Sequence, residues 1–106
     1  MESRLRGMLG IATKAGKVIF GYESIHDRLE RGKETLVLMT PGISERSKKD
    51  ALSMCRYFGA ECYEVSFEGL IENACGKAGI YLVGITGKGF VQGIRKIFEE
   101  TLGGLN

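Results

Sequence analysis

Lys14, Lys17 and Gly21 are spaced by three and four residues ahead of the stretch YESIHD, and a second glycine–lysine run, Gly76-Lys77-Ala78-Gly79, follows later in the chain. Lysine brings a point charge to a phosphate, and glycine lets a backbone approach it closely. A helix opening at Gly21 would also leave the N–H groups of residues 21 to 24 without intrahelical acceptors, so that they can face an anion. Phosphate binding is the chemistry these residue types suit. Glu23, Asp27 and Glu30 oppose it, because at i, i+4 and i+7 they form one acidic ridge on that same helix. The alternative is a plain strand-to-helix turn at Gly21 with solvated lysines around it.

Other candidates are weaker. GITGKGF, Gly84 to Phe90, is a glycine-rich turn between a strand and a helix, but a P-loop would need glycine at Leu82 and a hydroxyl residue at Gly89. Gly87 and Gly89 begin a dinucleotide-type GxG, and Gln92 then stands where its third glycine belongs. His26 is the single histidine, so no histidine-based metal cluster can form, and it reads as a partly exposed structural side chain. Cys55, Cys62 and Cys75 are odd in number and lack CxxC spacing, which points to reduced, mostly buried thiols rather than a disulfide framework or zinc site. No serine sits in a GxSxG elbow, and no carboxylate pair marks a pocket wall. Neither catalysis nor a cofactor is expected; the remaining enzymatic or small-anion reading would use Lys88.

These residues need a scaffold, and 106 residues with 43% hydrophobic content suffice for one core, read as a single domain over 1–106. A net charge of +2 allows a local basic patch but not a polycation that wraps nucleic acid indiscriminately. The charge is unevenly placed. Residues 1 to 20 hold Arg4, Arg6, Lys14 and Lys17 against Glu2 alone, whereas residues 21 to 34 hold Glu23, Asp27, Glu30 and Glu34 against Arg28, Arg31 and Lys33. No long apolar run suggests a signal peptide or membrane span, and a cytoplasmic location is expected.

Helical and strand periods alternate along the chain. Leu5, Met8, Leu9 and Ala12 predict a helix from a Ser3 cap to about Gly16, followed by the strand Val18-Ile19-Phe20. Tyr22, Ile25 and Leu29 form the buried stripe of a second helix ending at Gly32. Thr35 to Thr40, TLVLMT, reads as an inner strand covered on both faces. Pro41-Gly42 turns the chain into a third helix capped by Ser44, with Ala51, Met54, Cys55 and Phe58 inward, and Gly59 closes it. Glu61 to Val65 is a strand nearer the edge, its two faces unassigned. Ser66 caps a short fourth helix, Ile80 to Thr86 is the last strand, and Phe90, Val91, Ile94, Ile97, Phe98 and Leu102 stripe a fifth helix that Gly103-Gly104 would let fray. Five helices alternating with four strands predict a three-layer α/β/α sandwich.

AGKVIFGYESI, RGKETLVLMT and CGKAGIYLVGIT together resemble the superfamily of small RNA-binding ribosomal proteins of the large-subunit seven-Ae and thirty-e types, including its bacterial YlxQ-like branch. The resemblance covers residues 4 to 99 and extends to the TGKGF turn. It implies an α/β/α sandwich with a four-stranded mixed sheet and binding to a kink-turn or similarly bent RNA. In that family the start of the second helix, with a G-x-[NK]-[EQ]-x-x-K pattern, and the turn before the last strand grip RNA. Gly21 matches the glycine, and Gly76, Lys77, Ala78, Gly79 and Ile80 match the second loop. Glu23, Ser24 and Asp27 depart from the pattern at its three other specified positions.

The resulting expectation is a non-enzymatic, ribosome-associated RNA-binding protein. Its contacts would be Lys14, Lys17, Gly21, Tyr22, Glu23, Ser24, Lys77, Ala78, Gly79 and Ile80, with no metal. The alternative is a protein-interaction module on the same fold, whose ridge of Glu23, Asp27 and Glu30 meets a basic protein partner.

Overall fold

The computed structural model describes residues 1–103 of the chain, and the side chains of residues 1–100. Its elements in order are α1 (Glu2–Lys14), β1 (Val18–Phe20), α2 (Tyr22–Glu30), β2 (Leu36–Met39), α3 (Glu45–Phe58), β3 (Cys62–Glu64), α4 (Leu70–Cys75), β4 (Leu82–Ile85) and α5 (Lys88–Gly103). The strands form one mixed sheet in the order β1-β4-β2-β3. β4 runs antiparallel to both β1 and β2, while β2 and β3 are parallel. The sandwich expected from the alternation is the fold observed.

Strand pleating divides the core in two, because successive side chains point to opposite faces. Leu36, Leu38, Val83 and Ile85 pack with Leu5 and Leu9 of α1, Leu70 and Ile71 of α4, and Val91, Ile94 and Phe98 of α5. Val37, Met39 and Leu82 face the other way, against Ile25 and Leu29 of α2 and Ala51, Met54 and Cys55 of α3. All four β2 residues are buried, as an inner strand requires. β3 resolves the same way: Tyr63 and Val65 turn to the α1, α4 and α5 layer, and Cys62 to the α2 and α3 layer. Cys55 and Cys75 are buried; Cys62 is partly so.

Gly84 lets α2 sit close to the sheet. A Cβ there would lie 2.9 Å from Ile19 Cγ1, 2.9 Å from Thr35 Cγ2 and 3.0 Å from Ile25 Cγ1, so only a residue without a side chain fits. On the far edge Arg95 of α5 donates to Glu61 at 2.6 Å and to Glu34 at 3.2 Å, joining the two loops that lead into β2 and β3. Tyr63 stacks on Phe98 with ring centroids 4.4 Å apart.

Two expected caps fail and one holds. α1 begins at Glu2 with Met1 at its N-cap, because the Met1 carbonyl already accepts from Leu5 N–H at 3.0 Å; Ser3 lies inside the first turn. α4 begins only at Leu70, after Gly69 at φ 75, since Phe67 first packs on the core; Ser66 caps nothing. Ser44 does cap α3, its Oγ accepting from Ser47 N–H at 3.1 Å, and Gly59 at φ 68 closes that helix. Tyr22, expected in the buried stripe of α2, is 43% exposed, because the first residue of the helix projects past the end of the sheet. Phe58 is half-buried rather than fully inward. Leu102 and the fraying expected at Gly103-Gly104 lie outside the described side chains and residues. Among the described residues, no helix is long and apolar enough to cross a membrane.

Candidate nucleic-acid interface

The sheet order brings two loops together that are far apart in sequence. β1 ends at Phe20 and the antiparallel β4 begins at Leu82, so the turn into α2 and the turn out of α4 share one end of the sheet. Gly21 donates its N–H to the Leu82 carbonyl at 3.0 Å. Of the donors expected at this helix start, Gly21 is therefore occupied, while those of Tyr22, Glu23 and Ser24 lie in the first turn, which has no capping side chain. Gly21 adopts φ 91 and ψ 157, a region essentially confined to glycine. This residue sets the direction in which α2 leaves the sheet.

Opposite this turn, Gly76 at φ 69 ends α4 and Gly79 at φ 71 bends the chain back toward β4. Lys77, Ala78 and Gly79 are exposed between them, and Ile80 is buried beneath. Lys77 Nζ lies 4.3 Å from the centroid of the Phe20 ring, a cation–π contact that holds the ammonium over the end of β1. Between the loops is a cleft of about 500 Å³ whose walls include Gly21, Tyr22, Lys77, Ala78, Gly79 and Ile80. Glu23 and Ser24 are exposed in the helical turn beside it.

Further walls lie outside the expected contact set. Tyr81, 54% exposed, lies over Gly42, and Ser47 and Asp50 reach the cleft from α3. They arrive because β2 is antiparallel to β4, which carries the turn after Met39 to the same end of the sheet; Thr40 N–H bonds the Tyr81 carbonyl at 3.1 Å. The Pro41-Gly42 turn was the available signal, but it did not tell which end of which strand it would meet.

Lys14 and Lys17 are elsewhere. They sit at the start of β1, where the Lys17 carbonyl accepts from the N–H and the hydroxyl of Thr86, beyond the other end of β4. The expected ten-residue constellation is thus divided: eight residues are on or beside the cleft, and two lysines are across the sheet.

Electrostatically the cleft is mixed. Lys77 is its cation; Glu23 and Asp50 are exposed carboxylates, and Asp27 is drawn off by Arg31 at 3.2 Å. His26 packs between Tyr22, at 6.1 Å between ring centroids, and Phe58, at 5.4 Å, and serves as a structural side chain. No group of three or more His, Cys, Asp or Glu suited to a metal ion occurs among the described residues.

Comparisons with known proteins agree with this architecture. Two proteins named RNA-binding protein YlxQ are similar over most of their length. The one from Bacillus subtilis (strain 168) is 24% identical over 92 residues, 87% of this chain and 92% of that one. The one from Enterococcus faecium is 28% identical over 98 residues, 92% and 94% of the two chains. A solved structure of a Bacillus halodurans protein of unknown function superimposes with a TM-score of 0.81 at 22% identity, covering 89% of this chain and 95% of that chain. The Giardia lamblia 15.5kD RNA binding protein does so with a TM-score of 0.72 at 13% identity, covering 92% and 83%. The family model for ribosomal protein L7Ae/L30e/S12e/Gadd45 matches residues 3–90, and the chain belongs to that family.

Proposed function

We propose that this protein is a non-enzymatic RNA-binding protein that grips a bent, kink-turn-like RNA, in a ribosome-associated setting, through the cleft between the start of α2 and the loop before β4. The observation that carries this reading is the pairing of Gly21, in its glycine-only conformation, with Leu82. That bond sets the uncapped first turn of α2 opposite the exposed Lys77–Gly79 loop. Free backbone donors and one ammonium suit phosphate oxygens, which position an RNA, while Tyr22, Glu23 and Tyr81 offer a ring face and acceptor oxygens to bases, which specify it. An ionised Glu23 accepts from the exocyclic amino group of guanine or cytosine and is a poor neighbour for phosphate. The RNA path therefore puts a base edge, and not the backbone, against Glu23. Membership of the family and the names of its similar proteins support the same reading.

A second reading has its own observation: Glu23 and Glu30 remain exposed and without an ion pair among the described residues, so the α2 ridge suits a basic protein segment. One titration separates the two. Binding of a kink-turn RNA and of a plain duplex is measured at two salt concentrations; preference for the bent RNA with a salt-dependent affinity supports the first reading. Equal or undetectable binding to both RNAs, with retention of a basic protein on an affinity column, supports the second.

A further inference from the structure

Charge on this molecule is segregated between the two ends of the sheet. At the cleft end Lys77 shares the cleft wall with Asp50, and Glu23 is exposed in the helical turn beside it, so the lysine is offset by nearby carboxylates. The other end differs. Lys17 and Lys88 line one open cavity of about 480 Å³ together with Met8, Gly87, Gly89 and Phe90. The Lys17 stem lies over Gly87, with its Cδ 3.4 Å from where a Cβ would stand. Lys14 closes α1 one short loop away, and the Lys17 N–H bonds the Ala12 carbonyl at 2.9 Å, which folds that loop back beside the helix. Lys33 follows at the entrance to β2, where Leu36 is paired with Ile85.

None of these four ammonium groups has an ion-pair partner among the described residues. The carboxylates on the adjoining loops, Glu34 and Glu61, are both held by Arg95. Glu30, exposed at the end of α2 and unpaired among the described residues, is the remaining acid beside Lys33; four lysines outnumber it, and the face keeps a net positive field.

We propose that Lys14, Lys17 and Lys88, with Lys33 beside them, form a second contact surface for the RNA phosphate backbone, separate from the cleft and at the opposite end of the sheet. β1 spans the two in extended form, about 13 Å for four residues at about 3.3 Å each. The RNA that enters the cleft is thereby read at one end, and its continuing helix is held electrostatically at the other. This division lets the cleft keep acidic, base-directed side chains while attraction comes from the lysine face. The proposal rests on the cleft reading for its choice of RNA over an acidic protein segment, since both have the charge the lysines fit.

The test uses the intact protein and two RNAs, a minimal bent RNA and the same RNA with its helices extended. Three lysines are replaced together, Lys14→Gln, Lys17→Gln and Lys88→Gln, which remove the charge and keep most of each aliphatic stem, including the Lys17 stem over Gly87. A parallel set carries arginine, and circular dichroism verifies that both fold. Each lost phosphate contact lowers the slope of log affinity against log salt by about 0.7–0.9, so the glutamine set should lose about 2–3 from that slope on the extended RNA. The minimal RNA should lose less, and the arginine set should retain the wild-type slope on both. An unchanged slope for the glutamine set on the extended RNA overturns the proposal, whatever happens at the cleft. Loss of RNA binding on Lys77→Ala is read independently and reports on the cleft alone. Should the wild-type protein bind no RNA while poly-glutamate binds and the glutamine set abolishes that, the lysine face is a protein-docking surface and the proposal fails.

Discussion

Gly21 and Leu82, 61 positions apart in the chain, are joined by one backbone hydrogen bond of 3.0 Å that ties the start of α2 to the start of β4. The bond forms only because Gly21 turns through φ 91 and ψ 157. The placement of the α2 start against the Lys77–Gly79 loop depends on this junction.

Replacing Gly21→Ala should therefore destabilise the protein by about 1–3 kcal/mol, the typical strain of a side chain forced into that backbone region. Nothing lies within 4 Å of the added Cβ, so strain and not collision is the cause. Urea unfolding measures the loss, and RNA affinity should fall further than the loss of stability explains, because the helix start is redirected.

Gly84→Ala tests the opposite mechanism. Here φ is ordinary and the added methyl meets Ile19, Thr35 and Ile25 at 2.9 to 3.0 Å, an overpacking worth about 1–3 kcal/mol. The urea midpoint should drop, and the fraction still folded should bind RNA with nearly unchanged affinity. A wild-type midpoint would mean that α2 does not sit as closely on the sheet as described.

The edge network sets pH limits on both sides. Hydrogen bonding to Arg95 holds the Glu61 carboxyl below its usual range, so its contribution is present at neutral pH and is lost as pH falls through the lowered value. Burial, aided by the bond to Glu61, raises the Tyr63 hydroxyl to about 12 from 10.0, so its contribution is intact below 10.0 and is lost as pH climbs toward 12. Glu61→Gln should flatten the acid side of a stability profile, and Tyr63→Phe the alkaline side. Profiles parallel to wild type would show that neither group is linked to folding.

How much of this could be read from the chain is clearest at Lys17 and Gly21. Four positions apart, they looked like parts of one phosphate site, and the residue types were informative. What separates them is the direction of β1, which carries the chain across the sheet between them, and direction matters only once the antiparallel pairing with β4 is known. Periodicity and composition report which faces are buried, as they did for Leu36 to Met39, and they do not report strand order. The same gap hid Ser47 and Asp50. Caps at Ser3 and Ser66 failed for a local reason: a hydroxyl residue favours a helix start but does not impose one where packing of Phe67, or a free preceding carbonyl at Met1, moves the boundary.

Asp27 and Glu23 offer a gain-of-function test. Glu23→Asn with Asp27→Lys removes two negative charges and adds one positive charge beside the cleft, a net change of +3, and also frees Arg31 from its ion pair. RNA binding should tighten, most strongly at low salt, with the salt slope steeper by about 0.7–0.9 for each new phosphate contact. Weaker binding would mean that the base contact of Glu23 is worth more than the repulsion its charge causes. Undetectable RNA binding together with the loss of a co-purifying protein would assign the ridge to a protein partner.

The central claim is that RNA occupies the cleft between α2 and β4, and the most direct measurement is an amide NMR titration with a minimal bent RNA. The account predicts that the signals of Tyr22, Glu23, Ser24, Lys77, Ala78, Gly79 and Ile80 shift and saturate together, and that Lys77→Ala weakens the binding they report. If those amides stay fixed while the RNA binds, with shifts confined to Lys14, Lys17 and Lys88 or to the outer face of α3, the cleft is not the RNA site and the account is contradicted.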